Sequence, residues 1–161
     1  MAAPHRVISL TEALSFRAEL RQQDAVLVFT NGHFDLLHVG HLDYLERARK
    51  LGAALIVGIN DDDGTQVLKG SGRPIVPAQE RARLVAALHC VDAAIIFSGE
   101  TASDVIRSLQ PDIYAKGGDY RYKILPERPA VEEYGGHVVL IDLLPNRSTS
   151  ALIAKIRALP E

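Results

Sequence analysis

Short apolar runs alternate along this chain with segments in which apolar residues return every three or four positions. Ala25-Val26-Leu27-Val28-Phe29, Ala54 to Ile59, Ala93 to Phe97, Ile113 to Ala115 and His137 to Ile141 are runs of the first kind. A short apolar run, rich in β-branched residues and bounded by turn residues, predicts a strand buried on both faces. Thr30-Asn31-Gly32 bounds the first run and Asn60-Asp61-Asp62-Asp63-Gly64 the second. The other segments predict helices over Leu10 to Gln22, Val39 to Leu51, Pro77 to Leu88, Ser103 to Leu109 and Ser148 to Leu159. Leu42, Leu45, Ala48 and Leu51 lie on one helical period, and Gly52 follows where a helix end favours glycine. Pro77 suits a first helical turn, and Ser148 or Thr149 suits a cap. Leu68 to Pro74 reads as a glycine-rich loop.

Apolar strands alternating with helices specify a parallel sheet covered on both sides. The expected fold is α/β: a doubly wound (Rossmann-like), five-stranded parallel sheet with helices on both faces. One domain is expected over residues 1–161, with residues 1–24 as an N-terminal helical extension. Ligands of such sheets bind outside the carboxyl ends of the strands. Thr30 to His41, Asn60 to Asp63, Lys116 to Tyr120 and Asn146 to Ser150 should therefore converge on one cleft.

Composition narrows the partners. A net charge of −2 argues against a nonspecific nucleic-acid binder, which needs a basic face. The lone cysteine, Cys90, precludes an intrachain disulfide and a cysteine zinc site, and suits a reducing compartment. Met1-Ala2-Ala3-Pro4-His5-Arg6 lacks the apolar run of a signal peptide, and no stretch approaches the roughly 18 apolar residues that span a bilayer. The expectation is a cytoplasmic protein acting on a small molecule, without nucleic-acid or membrane partners.

The polar chemistry gathers at the predicted strand ends. Thr30-Asn31-Gly32-His33-Phe34-Asp35-Leu36-Leu37-His38-Val39-Gly40-His41 leads from the first strand into a helix. His38 and His41, three positions apart, lie about 60° apart around a helix. A helix start attracts phosphate through free N–H groups and its dipole, imidazoles add donors, and Gly40 permits close approach. Packing histidines, or a metal cluster completed by His33, are the rival readings; the glutamate of His-Glu-x-x-His is absent. Asn146-Arg147-Ser148-Thr149-Ser150 opens the last helix with a guanidinium and further donors, where plain capping is the alternative. Lys116-Gly117-Gly118-Asp119-Tyr120 combines close backbone approach with a carboxylate able to accept from a ribose or base, against a simple turn. Lys69 and Arg81 are candidate partners of triphosphate charge, or solvated surface cations. Neither Gly-x-x-x-x-Gly-Lys-Ser/Thr nor Gly-x-Gly-x-x-Gly after the first strand occurs.

Through His38-Val39-Gly40-His41 and Arg147-Ser148-Thr149-Ser150 the chain resembles the nucleotidyltransferase superfamily with the His-x-Gly-His signature, in its cytidylyltransferase-like branch. Phe29 to Gly32, Phe34-Asp35, Lys69-Gly70, Arg73-Pro74 and Lys116 to Tyr120 are similar to the D-glycero-β-D-manno-heptose 1-phosphate adenylyltransferases. The resemblance runs from about Val26 to Ile156. It implies AMP transfer from ATP, with Mg2+, to a sugar phosphate, and a homodimer; CTP with glycerol 3-phosphate is the alternative. Catalytic roles fall on His38, His41, Lys69 and Arg147. Nucleotide contacts fall on Thr30, Asn31, Gly32, Phe34, His38, Gly40, His41, Arg81, Lys116, Gly117, Gly118, Asp119, Arg147, Ser148, Thr149 and Ser150. Asp35, Lys69 and Tyr120 are assigned to the acceptor, and no residue is assigned as a resident metal ligand. Many members are fused to a sugar kinase; here the kinase step is expected in another protein. His33 departs from the aliphatic residue usual at its position.

Overall fold

The computed structural model describes residues 6–160; Met1 to His5 of the amino-terminal reading, and Glu161, lie outside them. Its centre is a parallel sheet of six strands rather than the expected five. They are β1 (Arg6–Val7), β2 (Leu27–Gly32), β3 (Ala54–Asn60), β4 (Ala93–Phe97), β5 (Ile113–Gly117) and β6 (His137–Ile141), in the order β1-β4-β3-β2-β5-β6. The unforeseen strand, β1, pairs only Arg6 with Ala93 and Val7 with Ala94, too short a segment to carry a period. β2 runs on through Thr30, Asn31 and Gly32, because β3 pairs with it from Leu27↔Ala54 to Gly32↔Ile59 and satisfies that polar backbone.

Alternate residues of the apolar strands point to opposite faces, and each face builds its own core. Leu27, Phe29, Ile56, Ile95 and Tyr114 pack with α1 (Leu10–Gln22), α5 (Ser103–Leu109) and α6 (Arg128–Glu132). Val28, Leu55, Val57, Ile59, Ala94 and Ala115 pack with α2 (Val39–Arg49) and α4 (Ala78–Ala86). An aspartate just before each of two strands pins the strand next to it: Asp92 accepts from Leu55 N, and Asp112 from Leu27 N, both at 2.7 Å. Asp112 also takes both terminal nitrogens of buried Arg17, at 2.8 and 2.9 Å, so α1, expected as part of an extension, is clamped to the sheet.

Two more elements enter where turns were expected. Asp62–Lys69 is a helix, α3, capped by Asp61, whose carboxylate accepts from Gly64 N at 2.8 Å. Gly118–Arg121 is a 3-10 turn after β5. The last helix, α7 (Thr149–Arg157), is capped by Ser148. Among the described residues no helix is long and apolar enough to cross a membrane. The chain builds outward from β2 to β3 and β4, then returns to β5 on the other side. The carboxyl ends of β2 and β5 thus flank the point where strand order reverses, the place such sheets reserve for a ligand.

Candidate active site

A cleft of about 300 Å³ opens at that point. Asn31 and Gly32 from β2, His33, Phe34, Asp35 and His38 of the loop after it, Gly40 and His41 of α2, Lys116 and Gly117 of β5, and Arg147 to Ser150 line it. Lys69 and Arg73 form another wall, and Leu143 and Leu144 an apolar one. Three of the four expected segments meet here. Asn60 to Asp63 does not, because each of its first three residues is committed elsewhere. Asn60 is buried and donates to Gly99 O, Asp61 caps α3, and Asp62 pairs with Arg81. Lys69, at the far end of α3, reaches the cleft instead.

The loop between β2 and α2 is held from behind. Phe34 takes a left-handed backbone with φ of 49° and buries its ring against His41, centroids 5.1 Å apart. Asp35 is 2% exposed, and its oxygens accept from Arg73 Nε at 2.6 Å and from the N–H groups of Ile75 and Val76 at 2.9 Å. Expected on the acceptor, it lines the cleft and also anchors the loop that carries Arg73. Those bonds, opposing the effect of burial, hold its carboxyl below the usual carboxylate range. Thr30 also retreats from its expected role: fully buried, it bonds to Tyr44 Oη at 2.7 Å, behind the cleft wall.

His38 caps α2, its Nδ1 accepting from Gly40 N at 3.1 Å, which leaves its proton on Nε2. The two imidazoles stack 3.8 Å apart. His38 Nε2 and His41 Nδ1 are buried and have no protein partner. Buried polar atoms without partners are uncommon and invite a ligand. Burial, then His38, lowers His41 to a pKa of about 4; burial, then Arg147, lowers His38. Both rings are therefore neutral at neutral pH, and polyphosphate charge would pull their pKa values back up.

The second helix start lies directly across. Thr149 Oγ1 donates to Leu36 O at 3.1 Å, tying α7 to the histidine loop. Gly40 has a reason beyond access to its backbone: a Cβ there would stand 2.9 Å from Arg147 Cβ and from the His38 ring. Arg147 follows Asn146, whose φ of 57° turns the chain into the helix. Ser148 accepts from Ala151 N at 3.0 Å while Ser150 lines the cleft.

On the β5 side Lys116 Nζ donates to Asn31 O at 2.9 Å, and burial lowers its pKa. Tyr114 Oη donates to Asn31 Oδ1 at 2.5 Å, so Asn31 is fixed at both ends. The two glycines serve local packing. A Cβ on Gly117 would meet Asp119 Oδ1 at 2.8 Å, and one on Gly118 would meet Asp142 Oδ1 at 2.9 Å. Gly118 itself is buried and outside the lining. Asp119 pairs with Lys123 Nζ at 2.9 Å, and Lys116 stands 5.7 Å from the Tyr120 ring.

Arg81 is corrected outright. It has no exposed surface, and donates to Val76 O at 2.8 Å, His33 O at 2.6 Å and Asp62 Oδ1 at 2.8 Å. It carries the loop, not the ligand. His33 turns Nδ1 to Thr65 Oγ1 at 2.9 Å instead of joining His38 and His41 in a metal cluster. Tyr44, Arg73, Leu143 and Leu144 line the cleft without having been assigned a role there, Arg73 having entered only as part of the Arg73-Pro74 likeness. Tyr44 had a signal, three residues after His41 on the same helix face; the leucine pair had none.

Fold and site together define a Rossmann-like α/β domain whose cleft is built from two facing helix starts. The chain belongs to the cytidylyltransferase-like family, which matches residues 29–152. It is 47% identical over 150 residues to the bifunctional protein HldE of Syntrophotalea carbinolica, covering 92% of this chain and 31% of that protein. The bifunctional protein HldE of Methylobacillus flagellatus is 44% identical over 155 residues, covering 96% and 32%. The chain thus spans about a third of the length of these curated relatives. A solved structure, the lipopolysaccharide core biosynthesis protein from Thermoplasma volcanium GSS1, is similar with a TM-score of 0.60 and 27% identity, over 74% of this chain and 97% of that one.

Proposed function

We propose that this chain transfers AMP from ATP to D-glycero-β-D-manno-heptose 1-phosphate, giving ADP-heptose and pyrophosphate. The observation that carries the reading is the meeting of the two helix starts. The bond from Thr149 to Leu36, and the contact of Gly40 with Arg147, set imidazoles and guanidinium against one polyphosphate-sized space. The acceptor assignment rests on the likeness of Lys116 to Tyr120 and of Phe29 to Asp35 to heptose 1-phosphate enzymes. The Thermoplasma volcanium relative, described as a lipopolysaccharide core biosynthesis protein, supports a sugar nucleotide used in glycan assembly.

A sugar phosphate has a second pKa near 6 and is largely dianionic at neutral pH, so no general base is needed. Its oxygen attacks the α-phosphorus in line; that P–O bond forms as the bond to the β-phosphate's bridging oxygen breaks. Catalysis is positioning and charge stabilisation. His38 Nε2 and the His41 ring meet charge growing on the α-phosphate, while Arg147 and the start of α7 receive the departing pyrophosphate. Lys69 and Arg73 face the acceptor phosphate. Magnesium, bound with the triphosphate, would supply charge neutralisation there. Asp35 is spent on Arg73, Ile75 and Val76, Asp119 pairs with Lys123, and among the described residues no group of three or more metal-ligating side chains stands together. A cytoplasmic setting, where ATP is supplied, belongs to the same reading, and a free Cys90 suits it.

The test is pyrophosphate release, crossing ATP, CTP, GTP and UTP with sugar 1-phosphates and glycerol 3-phosphate. ATP with the heptose phosphate should be the best pair; CTP with glycerol 3-phosphate as the best pair would replace this reading. His41→Ala should lose about 10²–10³ in turnover with its melting transition intact. Near-wild-type release from that variant would reject the assignment.

A further inference from the structure

His33 stands among cations. Lys69 and Arg73 line the cleft beside it and offer only donors, with Lys116 close by. Behind the wall its Nδ1 lies 2.9 Å from the hydroxyl of Thr65, which is fully buried and also reaches Asn60 O at 3.5 Å. With the Thr65 proton on Asn60 O, Nδ1 carries the proton of the neutral ring and Nε2 keeps a lone pair, the tautomer the proposal requires. Arg81 grips the His33 carbonyl at 2.6 Å and fixes the backbone beneath the ring. Burial, then Lys69, Lys116, Arg81 and Arg73 in that order, lowers the pKa of His33 to about 4, so a second proton is not held at neutral pH. Nε2 has no protein partner, yet it is not among the atoms sealed from solvent. Thr65 lies behind the cleft wall and His33 lines it, so Nε2 is the edge of the ring turned to a ligand.

A lone pair set beside cations is a discriminating device. A fully ionised phosphate has no hydrogen to give it, whereas a hydroxyl does. We propose that His33 Nε2 accepts a hydrogen bond from a hydroxyl of the acceptor sugar, making His33 the residue that selects a polyhydroxylated sugar phosphate over a simpler phosphate. The inference rests on the transfer reaction proposed above and goes beyond it by giving the acceptor side of the cleft a reader of hydroxyls. The ribose of the nucleotide is the competing source of a hydroxyl, and the experiment separates the two.

The measurement is kcat/KM for D-glycero-β-D-manno-heptose 1-phosphate, for its monodeoxy analogues, and for 2′-deoxy-ATP and 3′-deoxy-ATP in place of ATP, in wild type, His33→Ala and Thr65→Val. Wild type should disfavour one deoxy sugar by about ten- to a hundredfold, the effect of leaving a half-buried acceptor unpaired. His33→Ala should bring that ratio close to one, mainly through KM for the sugar, while the ratio of ATP to each deoxy-ATP stays as in wild type. An equal loss on every sugar, with the ratio preserved, is what a merely structural residue gives and would overturn the proposal. Collapse of the ATP to deoxy-ATP ratio would also overturn it. Thr65→Val removes the hydroxyl that orders the tautomer and should weaken the ratio part-way, which keeps the proposal testable if His33→Ala misfolds; an unchanged ratio there counts against it. Nitrogen-15 NMR of His33 should report a protonated Nδ1 and a bare Nε2, and the reverse would overturn the proposal. A wild type inert on every sugar phosphate would sink the transfer reading first and this inference with it. A wild type active but indifferent to every deoxy position would sink this inference alone.

Discussion

Arg81 and Lys69 look alike as candidate phosphate partners in the sequence, and burial separates them. Lys69 is exposed at the end of α3 and lines the cleft. Arg81 has every donor group turned inward onto Val76 O, His33 O and Asp62. Removing a buried guanidinium leaves two carbonyls without their donor and a void, a loss of about 3 kcal/mol. Arg81→Ala should therefore lower the urea midpoint steeply, whereas Lys69→Ala should leave it nearly unchanged and reduce turnover. Equal stability of the two variants would contradict the placement of Arg81. A residue type states what a side chain is able to do; its neighbours decide which of those things it does. Asp35 stands between the two: it lines the cleft, yet it already accepts from Arg73 and two backbone N–H groups.

At the scale of elements, the two helix starts carry the site, and each is set by its cap. Ser148 accepts from Ala151 N, and His38 uses a catalytic-type ring as a cap on α2. Ser148→Ala should lower stability by about 1 kcal/mol and raise the apparent KM for ATP more than that for the sugar phosphate. Calorimetry on the apo protein beside steady-state kinetics checks both halves, and a KM for ATP equal to wild type would remove α7 from the nucleotide site. Long elements with a clear period were legible beforehand: α1 matches at both ends, as do β4, α5 and β6. α3 was not, because Asp61-Asp62-Asp63-Gly64 carries turn residues. The same aspartates serve a helix start equally well, as a cap and as charges favourable to the dipole. Local composition is degenerate there. Asp62 accepts from Arg81 and from Ala78 N, bonds to distant residues that the local sequence does not encode.

At the scale of the whole molecule, α7 is a helix without a core. None of its residues is buried, and Ile156, at 57% exposed, and Leu159 just beyond its end, at 62%, face outward. Such a face suits the homodimer that the family resemblance implies. Light scattering should find twice the chain mass, and Ile156→Asp should shift the protein toward monomer. A wild-type monomer at all concentrations would reject the dimer.

Hydrophobic periodicity and turn chemistry alone determined that this chain is a doubly wound parallel α/β domain with its histidine, lysine and arginine clusters at strand ends, because those signals depend on neighbours along the chain. Only the tertiary structure decided that β1 joins the sheet, that Arg81 and Thr30 lie behind the cleft wall, that Asp35 is bonded to Arg73 within it, and that Arg73, Tyr44, Leu143 and Leu144 line it. Which polar group is left for a substrate depends on which others have already paired, and those partners lie tens of residues away in sequence, as with Thr149 and Leu36 or Arg81 and His33.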